Sequence, residues 1–189
     1  MDIIKVNKDN VSDTILNTIK NQEEKILYMV GEEDCVFTSL RDNFNYQYCK
    51  DNNIHIYHLK NMGGVIVSSK GDIQLAHFSK NLKNQFMKSI SEKLLEFLKS
   101  KGLNAIISEN DILVDGYKVC GYASVIYDKL IYSVFQISIN TNIKHIENIC
   151  LKPMNKIPKG LSEFGVRTED LLEFLLTELE NYSDKTEAS

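Results

Sequence analysis

The sequence is poor in the residues and runs that mark several common protein classes. Its 189 residues include no tryptophan, two prolines and two arginines, Arg41 and Arg167. With a formal net charge of −4, it lacks the basic stripe that nucleic-acid binding usually needs. No apolar run approaches the length of a membrane span, and no signal-peptide pattern opens the chain. We therefore expect neither a nucleic-acid partner nor a membrane association.

The cysteines form none of the common metal-binding or redox patterns. Cys35, Cys49, Cys120 and Cys150 include no CxxC pair and no spacing typical of a zinc site. We therefore predict no metal site, and thiols that stay reduced in a cytoplasmic protein. Cys150 has no histidine or lysine at an informative spacing, so we expect a structural thiol there and not a nucleophile.

What the sequence does contain is the composition of an ordinary globular protein. Apolar residues make up 43% of the chain and charged residues 25%, which is typical of a packed domain. A chain of this length can bury one substantial core. We predict a single domain over residues 1–182, followed by a polar flexible tail over 183–189.

Hydrophobic periodicity predicts helices and strands that come in clusters. Helical spacing predicts helices over 11–21, from Ser79 as N-cap to Gly102, and from Thr168 to residue 182. In the middle helix, apolar residues recur every four positions, at Leu82, Phe86, Ile90, Leu94 and Leu98. Runs of β-type residues predict strands over 25–30, 35–40, 54–59, 65–67, 73–78, 112–114, 117–127 and 130–139. This clustering predicts an α+β fold with a mixed, mostly antiparallel β-sheet packed with helices.

A predicted β-hairpin draws attention to Lys118. A two-residue turn at Asp115-Gly116 would pair Leu113 with Lys118 and Asp111 with Cys120. Asp111 would then be the diagonal neighbour of Lys118, within reach of its long side chain. A lysine ammonium can neutralise a carboxylate and a phosphate together. The alternative is that Lys118 is one lysine of many on a solvated face.

Two polar or glycine-rich loops accompany the hairpin. Gly63 and Gly64 separate two β-type runs, and paired glycines let backbone approach a ligand closely, although most such pairs mark a bend. Asn110 and Asp111 stand in the loop before the hairpin. Such residues usually satisfy turn backbone, but they can also hold a nucleotide or its magnesium through oxygen ligands.

Together these segments resemble the lipoate–protein ligase and octanoyltransferase family, which is related to biotin protein ligases. The stretch 108–123 resembles the family signature, in which an Asn-Asp pair leads a strand, a turn leads to a lysine, and a glycine and a small residue follow. Residues 61–71 resemble its glycine-rich loop, and 152–165 the segment before its last core helix. The resemblance implies a biotin/lipoate protein ligase catalytic-domain-like fold.

The resemblance also implies an activity, which is the attachment of lipoate or octanoate to a lysine of a lipoyl-carrier protein or domain, with ATP and Mg²⁺ as possible cofactors. It makes Lys118 the catalytic residue and places Asn110 and Asp111 near the nucleotide. The implied acyl-binding residues are Lys60, Gly63, Gly64, Gly121, Tyr122 and Ala123.

The sequence departs from the family pattern at the glycine loop and near the last helix. His58, Leu59 and Lys60 stand where arginines are usual, and Ser68 stands where a histidine is usual. Near the cysteine nucleophile position of octanoyltransferases, the sequence has Asn155 and Lys156. The alternative function is therefore a diverged, non-catalytic acyl- or nucleotide-binding module that retains the fold. A biotin ligase-like enzyme is a further alternative.

Overall fold

A computed structural model describes residues 1–39, 43–59 and 64–187, the last four as backbone only. Within these ranges the strands are β1 (Asp2–Lys5), β2 (Lys25–Val30), β3 (Cys35–Thr38), β4 (His55–His58), β5 (Ile66–Ser68), β6 (Ile73–Ser79), β7 (Ala105–Ser108), β8 (Asp111–Val114), β9 (Tyr117–Tyr127) and β10 (Leu130–Ile137). The α-helices are α1 (Val11–Asn21), α2 (Tyr46–Asp51), α3 (Phe86–Ser100), α4 (Ile143–Ile149) and α5 (Thr168–Glu187). A 3₁₀ helix, Leu161–Phe164, precedes α5.

The strands form two sheets. The larger has the order β1-β2-β6-β10-β9-β8-β7, in which β1 and β2 pair in parallel and every other neighbouring pair is antiparallel. The smaller has the order β4-β3-β5, with β3 and β4 parallel. The predicted α+β class with a mostly antiparallel sheet is therefore confirmed.

Both faces of the large sheet are covered, because alternate residues of each strand point to opposite sides. On β2, Ile26 joins the core formed with α3 and α5, whereas Leu27 joins the core formed with α1 and the small sheet. A third apolar cluster joins the small sheet to α2 and Ile149 of α4. The large sheet is thus the central layer, and the small sheet lies against one of its faces. Of the described helices, none is both long and apolar enough to span a bilayer.

The helix α3 begins later than the sequence predicts. Ser79 is not its N-cap, because strand pairing with Ile131 keeps Ser79 in β6. The side chain of Asn84 instead accepts a hydrogen bond from the Phe86 backbone N–H, 2.7 Å away. Leu82 consequently lies outside the helix and is exposed.

The rest of the α3 prediction is confirmed, since its other four periodic apolar residues are buried. Gly102 follows the helix with φ +80°, a left-handed conformation that glycine adopts without steric cost. At the end of the chain, α5 continues to Glu187. Residues 183–187, which we expected to belong to a flexible tail, are therefore helical.

Candidate functional site

A cavity of about 470 Å³ lies between the two sheets and is closed on one side by α4 and the segment after it. This volume falls in the range of pockets that bind small molecules. Its apolar and polar walls are contributed by Val65, Ile66, Val67, Glu109, Asp111, Lys118, Cys120, Gly121, Tyr122, Ala123, Val134, Gln136, Ser138, Ile146, Cys150, Met154, Asn155, Lys156 and Pro158.

The β8–β9 hairpin brings Asp111 and Lys118 into this cavity through a register that the sequence did not predict. Leu113 pairs with Lys118 as expected, but a bulge follows, so that Asp111 pairs with Gly121 and not with Cys120. A bulge adds one residue to one strand and changes the direction of its side chains. The predicted pairing of Asp111 with Cys120 was therefore wrong by one residue.

Gly121 makes room for the charged pair that faces the cavity. A Cβ at Gly121 would lie 2.6 Å from Asp111 Oδ1 and 2.9 Å from Lys118 Nζ. Since real side chains do not approach so closely, the Lys118 side chain can fold back to Asp111 only across a glycine. The Lys118 Nζ then lies 2.8 Å from Asp111 Oδ1.

A second lysine binds the other oxygen of the same carboxylate. Lys156 Nζ lies 2.8 Å from Asp111 Oδ2 and donates a hydrogen bond of 3.1 Å to the Ser108 carbonyl. Glu109 is also near, with an oxygen 3.8 Å from Lys156 Nζ, but its side chain is 88% exposed. Such an exposed ion pair contributes little stabilisation. The Asp111 carboxylate therefore bridges two ammonium groups.

The charges in this cluster influence each other's ionisation. Burial opposes the ionisation of Asp111, but hydrogen bonds from Lys118 and Lys156 outweigh this effect and hold the pKa of Asp111 below its ordinary value. In return, the hydrogen bond to Asp111 raises the pKa of Lys156. Counted formally, one carboxylate and two lysines give this cluster a net charge of one positive unit.

The backbone around Lys156 is fixed by the strand that carries Lys118. In the 155–159 segment, the Ile157 carbonyl accepts a hydrogen bond from the Lys118 N–H, and the Lys159 N–H donates to the Lys118 carbonyl, both at 2.9 Å. Pro158 lies between them as the parallel bridge partner of Lys118. Both bonds are made by the residues on either side of Pro158, so the missing N–H of proline costs no hydrogen bond here. The segment thus extends the sheet beyond the end of β10.

The sequence did not identify Lys156 as a site residue. It stands 38 positions from Lys118, in a stretch without helical or strand periodicity. The available signal was its place near the position of the octanoyltransferase cysteine. The two lysines meet only because the 155–159 segment pairs with β9.

The other site residues expected from the sequence are distributed as follows. Gly121, Tyr122 and Ala123 line the cavity together with Lys118 and Asp111. The Asn110 carbonyl accepts a hydrogen bond from the Tyr122 N–H, 3.1 Å away, but its side chain is not part of the cavity wall. Lys60 and Gly63 lie outside the described residues.

Gly64 is not one of the residues that line the cavity, although its neighbour Val65 is. It has φ +109°, and a Cβ placed on it would contact nothing within 4 Å. The cavity wall begins at the next residue, Val65. The backbone conformation therefore explains this glycine, because other residues rarely adopt such a φ angle.

Two cysteines line the cavity, and both are held as thiols. Burial raises the pKa of Cys120 well above its ordinary value and also raises the pKa of Cys150. A nucleophilic cysteine needs the opposite shift. In the part of the chain that the structure describes, no group of three His, Cys, Asp or Glu side chains is arranged to hold a metal ion.

Comparison with known proteins identifies relatives of this chain. Residues 10–181 match the family model of the lipoyl protein ligase A/B catalytic domain. The chain is 24% identical over 161 residues to lipoate-protein ligase LplJ of Bacillus subtilis, covering 82% of this chain and 49% of the relative. It is 22% identical over 191 residues to lipoate–protein ligase 1 of Staphylococcus aureus, covering 93% and 58%. The chain thus spans about half the length of these curated relatives.

Solved structures show the same fold. The P. falciparum LipL1 complex with lipoate aligns with a TM-score of 0.72 at 16% identity, covering 97% of this chain and 62% of that one. A lipoate-protein ligase A bound with ATP aligns with a TM-score of 0.71 at 13% identity, covering 92% and 81%. With a family model that matches most of its length, the chain belongs to the lipoyl protein ligase A/B catalytic domain family.

Proposed function

We propose that this chain is the catalytic domain of an enzyme that activates lipoate or octanoate with ATP and attaches the acyl group to a lysine of a lipoyl-carrier protein. The observation that carries the proposal is a cavity with apolar side chains along its walls and the Lys118–Asp111 pair on one side. An acyl chain would lie against Val65, Val67 and Ile146, and its carboxylate would contact Lys118. The retained cation argues against the non-catalytic alternative.

The relatives support the same class of reaction. Two curated relatives are named lipoate–protein ligases, and the aligned structures contain lipoate in one case and ATP in the other. Against a thiol-based transfer, burial raises the pKa of Cys150, and Lys156 stands near the position where the octanoyltransferase nucleophile is expected. We therefore favour activation by ATP over transfer through a cysteine.

The reaction would proceed in two steps. An oxygen of the acyl carboxylate attacks the α-phosphorus of ATP, which forms an acyl-adenylate and releases pyrophosphate. The amine of the carrier lysine then attacks the acyl carbon, so that an amide forms, AMP leaves and the proton of the amine passes to solvent. The Lys118 ammonium would hold the acyl oxygen and stabilise the negative charge that develops on it.

Magnesium would accompany ATP in such a reaction. Both oxygens of Asp111 already accept hydrogen bonds from lysines, and Glu109 is almost fully exposed. The described residues therefore do not present a preformed magnesium site. We assign the ion to the nucleotide phosphates, which commonly hold Mg²⁺ with few protein ligands.

The test is transfer of the acyl group to an isolated lipoyl domain, followed by intact mass spectrometry. One reaction contains lipoate, ATP and Mg²⁺, and a second contains lipoyl-adenylate without ATP, which bypasses the activation step. We expect a lipoyl mass increase with wild type, a large loss with Lys118→Ala, and no loss with Lys129→Ala, an exposed lysine at the β9–β10 turn. Failure of both reactions, together with no binding of lipoate or octanoate, would refute the proposal.

A further inference from the structure

We propose that Lys156 is a second substrate-binding cation, which contacts the phosphate of the acyl-adenylate while Lys118 holds the acyl oxygen. This inference rests on the proposed function and deepens it. It begins from the two lysines on one carboxylate, since Lys118 Nζ and Lys156 Nζ each lie 2.8 Å from a different oxygen of Asp111.

The charges leave one of the two cations without a buried anion to balance it. Asp111 contributes one negative charge against two ammonium groups, and Glu109 is too exposed to add much. Side-chain exposures of 40% for Lys118 and 24% for Lys156 leave both ammonium groups accessible from the cavity they line. A surplus positive charge in a partly buried cavity favours an anionic ligand.

The fold holds Lys156 at a defined place, so its position does not depend on a flexible loop. The backbone bonds of Ile157 and Lys159 to Lys118 fix the chain directly after it, and the Ser108 carbonyl fixes the ammonium group itself. Electrostatic stabilisation of a reaction is strongest when the charged group is already oriented. Lys156 meets this condition before any substrate binds.

Two cations suit the charges of the transition state of acyl transfer better than the single charge of lipoate. Lipoate carries one negative charge, for which Lys118 suffices. In the transition state of transfer, negative charge lies on the phosphate and also develops on the acyl oxygen, so two anionic groups lie side by side. Lys156 should therefore contribute little to the binding of lipoate and much to the binding of lipoyl-adenylate and to the rate of transfer.

The experiment compares wild type with Lys156→Met, Lys156→Arg and, as a matched control, Lys152→Met, which changes an exposed lysine four residues earlier in the same stretch. Binding of lipoate and of lipoyl-adenylate is measured by calorimetry, and transfer from lipoyl-adenylate by single turnover.

For Lys156→Met we expect lipoate affinity within about threefold of wild type, whereas the transfer rate falls by about a hundredfold, as for the loss of one oriented charge-stabilising donor. Lys156→Arg should recover much of the rate, and Lys152→Met should behave as wild type.

The outcomes separate this inference from the proposed function. If wild type neither binds lipoyl-adenylate nor transfers its acyl group, the proposed function fails. If wild type is active and Lys156→Met transfers at the same rate, only the role of Lys156 is refuted. Lys156→Met leaves Asp111 paired with Lys118, so the variant should remain folded. An equal loss of lipoate and lipoyl-adenylate binding would indicate a merely structural lysine.

Discussion

Gly121 lies directly opposite Asp111 in the β8–β9 ladder, and a Cβ at Gly121 would come within 2.6 Å of the Asp111 carboxylate. We predict that Gly121→Ala displaces the ends of Asp111 and Lys118. Because both are side-chain ends that can rotate away, the melting temperature should change little. The rate of acyl transfer should fall by about ten- to a hundredfold, since small misplacements of reacting groups have large effects.

The control for this variant is Ile126→Ala, which changes an exposed residue elsewhere on β9. Transfer kinetics and thermal unfolding are measured for both proteins. A fully active Gly121→Ala protein would mean that the bridged geometry of Asp111 is not needed for the reaction.

The buried Asp72 provides a prediction about stability and pH. Its carboxylate accepts backbone N–H bonds from Ser69, Ile139 and Asn140, but burial dominates and raises the pKa of Asp72 to about 6. The folded state therefore binds this proton more tightly than the unfolded state does. The contribution of Asp72 to the free energy of unfolding should therefore decrease as pH rises from its ordinary pKa of 3.8 to about 6.

Titration of the Asp72 carboxyl carbon by NMR checks this prediction, and a pKa below the ordinary value would contradict it. Asp72→Asn should remove this contribution to the pH dependence. It should also destabilise the protein by about 1–3 kcal/mol, because an amide NH₂ would face a backbone donor and leave it unsatisfied.

The protonation of His77 should change stability with pH in the opposite direction to that of Asp72. It is buried against Phe86, with ring centroids 4.2 Å apart, and burial lowers the pKa of His77 to about 4. Between that value and the ordinary 6.5, the unfolded state binds more protons. The contribution of His77 to stability is therefore lost as pH falls through this window.

Because the windows of His77 and Asp72 overlap, their effects should largely cancel in wild type. We predict that His77→Phe exposes the contribution of Asp72, so that this variant gains stability relative to wild type as pH falls from about 6.5 to 4. Urea unfolding across this range measures the difference. A constant difference between the two proteins would show that His77 does not titrate with a lowered pKa.

The core between α3 and the large sheet provides a prediction about stability alone. Leu94 is fully buried at the centre of the helix face. Leu94→Ala should lower the free energy of unfolding by about 2–5 kcal/mol, because it removes buried apolar atoms and leaves a cavity. Lys99→Ala, at an exposed position of the same helix, should change it by less than about 0.5 kcal/mol. Similar denaturation midpoints for both variants would contradict this assignment of the core.

The sequence predicted the local parts of this structure well. The bounds of α1, β2 and β9 agree with those expected, because the hydrophobic pattern within each segment is enough to identify it. The start of α3 was wrong since a partner strand, containing Ile131, holds Ser79 in β6. Local helical spacing contains no information about that pairing.

The candidate site was predictable only in part for the same reason. The turn at Asp115-Gly116 placed Lys118 on a hairpin beside Asp111, and the structure brings the two together. The bulge between them was not visible, because one additional residue leaves the hydrophobic pattern nearly unchanged. Lys156 was missed because backbone pairing with a strand 38 residues earlier has no signature in side-chain periodicity.

The proline of the 155–159 segment has a consequence for association between molecules. The N–H of Lys159 and the carbonyl of Ile157 face β9, so the outward edge at this point is formed by Pro158, which has no N–H to offer. An exposed sheet edge with free donors can recruit a strand from another chain. Here the segment that carries Lys156 also ends the sheet with a residue that cannot continue the ladder. At this point Pro158 therefore offers no backbone donor to a strand of another molecule.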